Sequence, residues 1–246
     1  MKRGFIAVMD SGIGGLSLLR DLIKNFPNED FLYFGDNENA PYGNKTNSEL
    51  ERITLQNIFY VMSYDVKAIV FACNTISVNV MNKIKQYIDV PIFGIFPPVE
   101  SCVLSGKKTL LFCTERTAEK YRGLKGVDVV GLPTIVKEIE KNALHLLDFN
   151  AIDVILRYHS GRFVKEKGYY DTIILGCTHF VFIKNQILDH FCPKKIVTGN
   201  EFTINKISNY LENKKSLVKS KRFSTLFIGK YGGFNKMVFE KSGQIH

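Results

Sequence analysis

The chain has 246 residues, 33 basic and 24 acidic side chains, a net charge of +9 and 45% hydrophobic residues. That length and apolar content can bury one large α/β core or two small ones, and they exclude intrinsic disorder, collagen-like repeats and coiled coil. The apolar runs are strand-length, far short of a bilayer span, and no signal-peptide profile precedes the first of them. A soluble, cytoplasmic protein is expected.

Strand-like segments rich in β-branched and aromatic residues fall at 4–9, 30–35, 67–72, 91–95, 108–112, 127–131, 171–176 and 195–198. Several are apolar on both faces, as strands covered on both sides should be. Between them the spacing predicts helices over 15–26, 48–64, 77–88, 135–147, 151–167 and 183–191, and one more over 201–212. This alternation predicts a doubly wound, mostly parallel α/β architecture in two similar lobes with the active site in the cleft between them. Pro97 and Pro98 mark the crossover. The first lobe is expected to span 1–96 and the second 97–207, with 208–246 rejoining the first through a strand over 223–228. From residue 213 to 246 there are eight Lys or Arg and a single acid, Glu240. No nucleic-acid motif accompanies them, so a solvated basic face is the reading and nucleic acid is not an expected partner.

Ligands of parallel α/β sheets bind beyond the carboxyl ends of the strands. Those ends read Asp10-Ser11-Gly12, Gly35-Asp36, Cys73-Asn74-Thr75, Cys113-Thr114 and Cys177-Thr178-His179. Any one polar residue here could be a helix cap. Caps do not explain two cysteines in equivalent places, each followed by polar side chains. The five cysteines form no CxxC pair and no disulfide framework, so reduced thiols are expected. The run from Ser11 to Gly15 breaks the dinucleotide GxGxxG pattern at Ser17, and Asp10 would set a carboxylate beside any phosphate. Such a loop suits a small zwitterion better. Cys177, His179, His190 and Cys192 lack zinc-site spacing, and no GxSxG marks a serine hydrolase. Neither a metal nor a cofactor is expected.

Taken together, the segments Asp10-Ser-Gly-Ile-Gly-Gly-Leu-Ser17, Phe34-Gly-Asp36, Ala40-Pro-Tyr-Gly43, Ala72-Cys-Asn-Thr75 and Leu175-Gly-Cys-Thr-His-Phe180 resemble the glutamate racemases of the cofactor-independent aspartate/glutamate racemase superfamily. The resemblance runs over essentially the whole chain. It implies an isomerase that interconverts L- and D-glutamate without a cofactor, commonly as a homodimer, and supplies D-glutamate for peptidoglycan. By the same resemblance Cys73 and Cys177 are the two catalytic thiols, assisted by Asp10 and His179, with Glu140 the match for a further carboxylate. Ser11, Tyr42, Gly43, Asn74, Thr75, Thr114, Thr117 and Thr178, with Asp10 and His179, match positions that hold glutamate. The sequence departs from the family pattern at Val181, Cys113 and Pro97, while Cys102, Cys113 and Cys192 match no catalytic position. The alternatives are a racemase for aspartate or another acidic amino acid, and a weakly catalytic member acting as a binding protein.

Overall fold

The computed structural model describes residues 4–141, 149–163, 166–213 and 225–229. Most of the basic C-terminal stretch lies outside them. Two all-parallel sheets carry the fold. The first contains β1 (Phe5–Asp10), β2 (Phe31–Gly35), β3 (Val66–Phe71), β4 (Ile92–Gly94) and β9 (Thr225–Gly229), in the order β4-β3-β1-β2-β9. The second contains β5 (Thr109–Cys113), β6 (Val127–Gly131), β7 (Thr172–Leu175) and β8 (Lys195–Val197), in the order β6-β5-β7-β8. Counted from its own first strand, each sheet therefore runs 2-1-3-4, and β9 adds a fifth strand beside β2. The doubly wound, two-lobed α/β expectation describes this fold.

Side-chain alternation sends each strand's residues into two cores, as a sheet covered on both faces requires. Ile6, Val8, Phe31 and Tyr33 pack under α1 (Leu16–Asn25) and α10 (Asn200–Asn213), while Ala7, Met9, Leu32 and Phe34 pack under α2 (Asn47–Val61), α3 (Asn74–Asn79) and α4 (Met81–Ile84). In the second sheet, Leu110, Phe112, Ile173 and Leu175 face α7 (Ile135–Lys141), α8 (Phe149–Ser160) and α9 (Lys184–Phe191). Leu111, Val129 and Ile174 face α5 (Val99–Leu104) and α6 (Glu115–Tyr121).

Local chemistry sets several helix starts. Thr46 and Glu49 close a capping box that begins α2, each satisfying a backbone N–H of the other. Thr114 accepts from the Thr117 N–H and begins α6. The helix expected over 77–88 instead starts at Asn74, breaks at Val80 and continues as α4 and a 3-10 turn. Its earlier start matters, because it makes Cys73 the residue immediately before the helix. Helices α5 and α6 escaped the periodicity reading; they are six and seven residues long and bury only Val99, and Thr117 with Ala118, respectively. The segment 142–147 of the helix expected over 135–147 lies outside the described residues. Among the described residues no helix is long and apolar enough to cross a membrane.

Candidate active site

Each thiol stands two residues beyond the third strand of its lobe: Cys73 after β3, which ends at Phe71, and Cys177 after β7, which ends at Leu175. Both are buried, at 6% exposure. Parallel registry brings the other strand ends to the same edge. Asp10 lies opposite Gly35, Met9 opposite Phe71 and Phe112 opposite Leu175. The two edges meet. Thr75 Oγ1 lies 3.1 Å from Thr114 Oγ1, which donates to Thr117 Oγ1 at 3.1 Å. A Cβ at Gly43 would press on Thr114, and one at Gly14 would press on His179 and Thr178. Arg116 Nε reaches the Lys45 carbonyl at 3.0 Å. These contacts bring Gly43, Thr75, Thr114 and Thr117 together, and Gly14 of the turn after β1 against Thr178 and His179. A cavity of about 600 Å³ elsewhere, lined by Arg20, Asp21, Lys184, Lys195 and Glu201 among others, holds none of them.

The turn after β1 wraps around the Asp10 carboxylate. The N–H groups of Gly12 and Gly15 donate to Asp10 Oδ2 at 3.3 and 3.0 Å. Among the described residues, Asp10 Oδ1 and Asn74 Oδ1 are buried acceptors with no hydrogen-bond partner. Leaving a buried acceptor bare is costly, so these two are suited to a ligand that brings N–H donors. Burial pushes the Asp10 carboxyl up from its ordinary value, against the opposing pull of His179 and the Gly15 N–H.

The thiols have different company. Burial pushes Cys73 well above the usual thiol range, the Asp10 charge adds to this, and the Ile76 and Thr75 N–H groups at the start of α3 oppose it. A charge on Cys177 also acts on Cys73, which places the two sulfurs within electrostatic reach. Cys177 Sγ lies 3.8 Å from His179 Nδ1, and His179 Nε2 is 2.5 Å from Glu140 Oε1. Burial alone would lower His179, but the hydrogen bonds to Cys177 and Glu140 and the charges of Cys177 and Asp10 outweigh it. The imidazole, set between sulfur and carboxylate, is therefore held well above its ordinary range. Cys113, fully buried beneath this region, is also pushed up by burial first and then by Cys177.

Comparison with known proteins places this arrangement. No protein-family model matches the chain. The glutamate racemase of Clostridium novyi is 34% identical over 229 residues, covering 88% of this chain and 84% of that one. The glutamate racemase of Clostridium botulinum strain Hall is 32% identical over 243 residues, covering 94% and 90%. The chain belongs to the glutamate racemases. The crystal structure of the glutamate racemase of Thermus thermophilus, a complex with β-chloro-D-alanine, superposes with a TM-score of 0.78 at 29% identity, covering 93% of this chain and 88% of that one. The chain is accordingly an isomerase, an amino-acid racemase, and glutamate racemisation is its activity.

Three further residues brace this racemase site. Asp36, fully buried at the end of β2, accepts from Tyr42 Oη at 2.6 Å, from Asn57 Nδ2 at 2.8 Å and from Asn39 Nδ2 at 2.9 Å. Asn57 also donates to Tyr42 Oη at 3.1 Å. Tyr33, in the middle of β2, donates to the Gly12 carbonyl at 2.6 Å. Asn57 was detectable as a polar residue on the buried Ile53-Asn57-Val61 stripe of α2. Tyr33 left no such signal, because an aromatic in an apolar strand reads as core. Among the described residues no group of three or more His, Cys, Asp or Glu side chains is placed to hold a metal ion.

Proposed function

We propose that racemisation runs by two bases, with Cys73 and Cys177 on opposite faces of the glutamate α-carbon. One sulfur, as thiolate, takes the α-proton and becomes a thiol. The other, as thiol, returns a proton to the opposite face and becomes the thiolate. The two protonation states are thus exchanged after each turnover, and the reverse direction uses the same pair with roles swapped. The observation that carries this reading is the pair of buried thiols at equivalent strand ends, each with its own titratable neighbour.

Asp10 and Asn74 offer bare acceptors suited to the substrate ammonium. The hydroxyls of Ser11, Thr75, Thr114, Thr117 and Thr178 and the turn at Tyr42-Gly43 are suited to its carboxylates. Fixed donors in a dry cleft can stabilise the carbanion as its charge develops. His179 assists proton transfer at Cys177, and Asp10 at Cys73. In this reading the enzyme works in the cytoplasm as a homodimer and supplies D-glutamate for peptidoglycan.

The deciding experiment follows L- and D-glutamate by circular dichroism in D2O, with chelator present and no pyridoxal phosphate. We expect full activity, α-deuterium in the first-formed product and little in recovered substrate. Product that keeps the substrate's own proton would mean one base serving both faces. Faster turnover of L-aspartate than of L-glutamate would move the substrate assignment.

A further inference from the structure

One peptide plane of the first lobe is gripped at both ends. The carbonyl of Gly12 accepts from Tyr33 Oη at 2.6 Å, and the N–H on the other side of the same peptide, that of Ile13, donates to Glu140 Oε1 at 3.0 Å. That carboxylate oxygen also meets His179 Nε2, and His179 Nδ1 reaches Cys177 Sγ. An unbroken polar chain therefore runs from the core of the first sheet, across the cleft, to the thiol of the second. The space is tight as well: a Cβ at Gly12 would collide with the Glu140 carboxylate. Tyr33 is 4% exposed and its ring packs beside Phe227 of β9, so the hydroxyl is rigidly aimed.

We propose that Tyr33 is a positioning residue for the second thiol: by fixing the Gly12–Ile13 peptide it sets the Glu140 carboxylate, and through it the His179 ring, relative to Cys177. The inference rests on the two-thiol reading. It makes the control of Cys177 a property of the closed cleft, because the donor that orients Glu140 belongs to the other lobe. A hydrogen bond from a neutral peptide to a carboxylate is stronger than one between neutral groups, and the geometry of such a support decides how well an acid–base pair works. Cys73 is reached by the N–H groups of α3 and by the Asp10 charge from its own lobe, and the Cys177 charge acts on it across the cleft; the carboxylate–imidazole support that Glu140 and His179 form serves Cys177.

The test compares the wild-type enzyme with Tyr33→Phe, which keeps the ring and removes the hydroxyl. Rates are measured with α-protonated and α-deuterated L- and D-glutamate. Each enantiomer loses its α-proton to a different sulfur, so a lesion confined to Cys177 moves the two isotope effects apart. We expect kcat/KM to fall roughly fivefold to tenfold, the size of one lost hydrogen bond. The isotope effect on kcat/KM should rise for the enantiomer deprotonated by Cys177 and fall for the other. A merely structural loosening would move both together, and that result would overturn the proposal. A second readout is the cycle with Glu140→Gln. If Tyr33 acts through Glu140, the double variant is little worse than Glu140→Gln alone, whereas additive losses contradict the route. Should Tyr33→Phe fail to fold, Gly12→Ala displaces Glu140 directly and is read by the same isotope pattern. Failure of the parent reading looks different: it would show as full activity in Cys73→Ser or Cys177→Ser.

Discussion

The two thiol-bearing strand ends sit at the same place in the same strand order, yet they are furnished differently. Cys73 opens a helix and is governed by burial, a neighbouring carboxylate and the amides of α3. Cys177 opens a 3-10 turn and is governed by an imidazole tied to a carboxylate. A racemase must treat two mirror-image substrates alike, and in the two-thiol proposal its two bases hold opposite protonation states at any moment. Repeated topology supplies the symmetry of position, and unlike neighbours supply the asymmetry of charge.

The most severe way to break this comparison is to remove either sulfur. Cys73→Ser and Cys177→Ser should each lower kcat by about 10²–10⁴-fold, because in the two-thiol proposal each thiol acts in every turnover. Cys113→Ser, in the apolar core of the second sheet, should change stability more than rate. A single essential thiol would end the comparison.

The neighbours come next, and here activity and stability should part. Asp10→Asn and His179→Asn should each cost about 10–100-fold in kcat. Burial raises the folded-state value of Asp10, so its ionised form is disfavoured by the fold and stability falls as pH rises through that value. Asp10→Asn should therefore raise the Tm at neutral pH while it lowers the rate. His179 is also raised, by its bonds to Cys177 and Glu140, but it is the charged form that gains. Its contribution is fully present below its ordinary value near 6.5 and is lost as pH climbs through the higher folded value. His179→Asn should thus be destabilised most at pH 6, with the gap to wild type narrowing at pH 9 in urea melts.

Smaller effects should mark the seam between the lobes. Gly43→Ala sets a methyl against Thr114 at a contact of 2.7 Å, which should hold the cleft open and raise KM more than it lowers kcat. Thr114→Val removes the hydroxyl shared by Thr75 and Thr117. We expect a loss of about 1 kcal/mol in stability and a small rise in KM for both enantiomers. Equal KM changes for L- and D-glutamate would sharpen the comparison by showing that the seam serves both thiols alike.

Most of the architecture was legible because buried parallel strands announce themselves as short runs of Val, Ile, Leu and Phe between turn residues. All nine strands among the described residues fall where such runs stand. The thiols were legible for a related reason: polar residues at the carboxyl ends of such strands have few structural excuses. What escaped was whatever worked through a second residue. Asp36 was in view at a strand end and Asn57 on a buried helix stripe, but the bond between them, like that from Tyr33 to Gly12, spans 21 positions of sequence, and no local pattern links the partners. The short helices α5 and α6 escaped because one or two buried side chains make no period.

The placement of β9 has a consequence for how the chain is made. Strands β5 to β8 are contiguous in sequence, so the second sheet has all its strands once residue 197 has left the ribosome. The first sheet is begun earlier and finished later. Its strand β2 keeps an open edge until residues 225–229 arrive to pair with residues 31–35. During synthesis, domains form as units from the amino end, and unpaired edges are the places where they stick to one another. The last strand among the described residues thus covers the edge of the strand that carries Tyr33. A chain cut off before residue 225 and released would carry the second sheet's strands complete beside a first lobe with a bare, aggregation-prone flank.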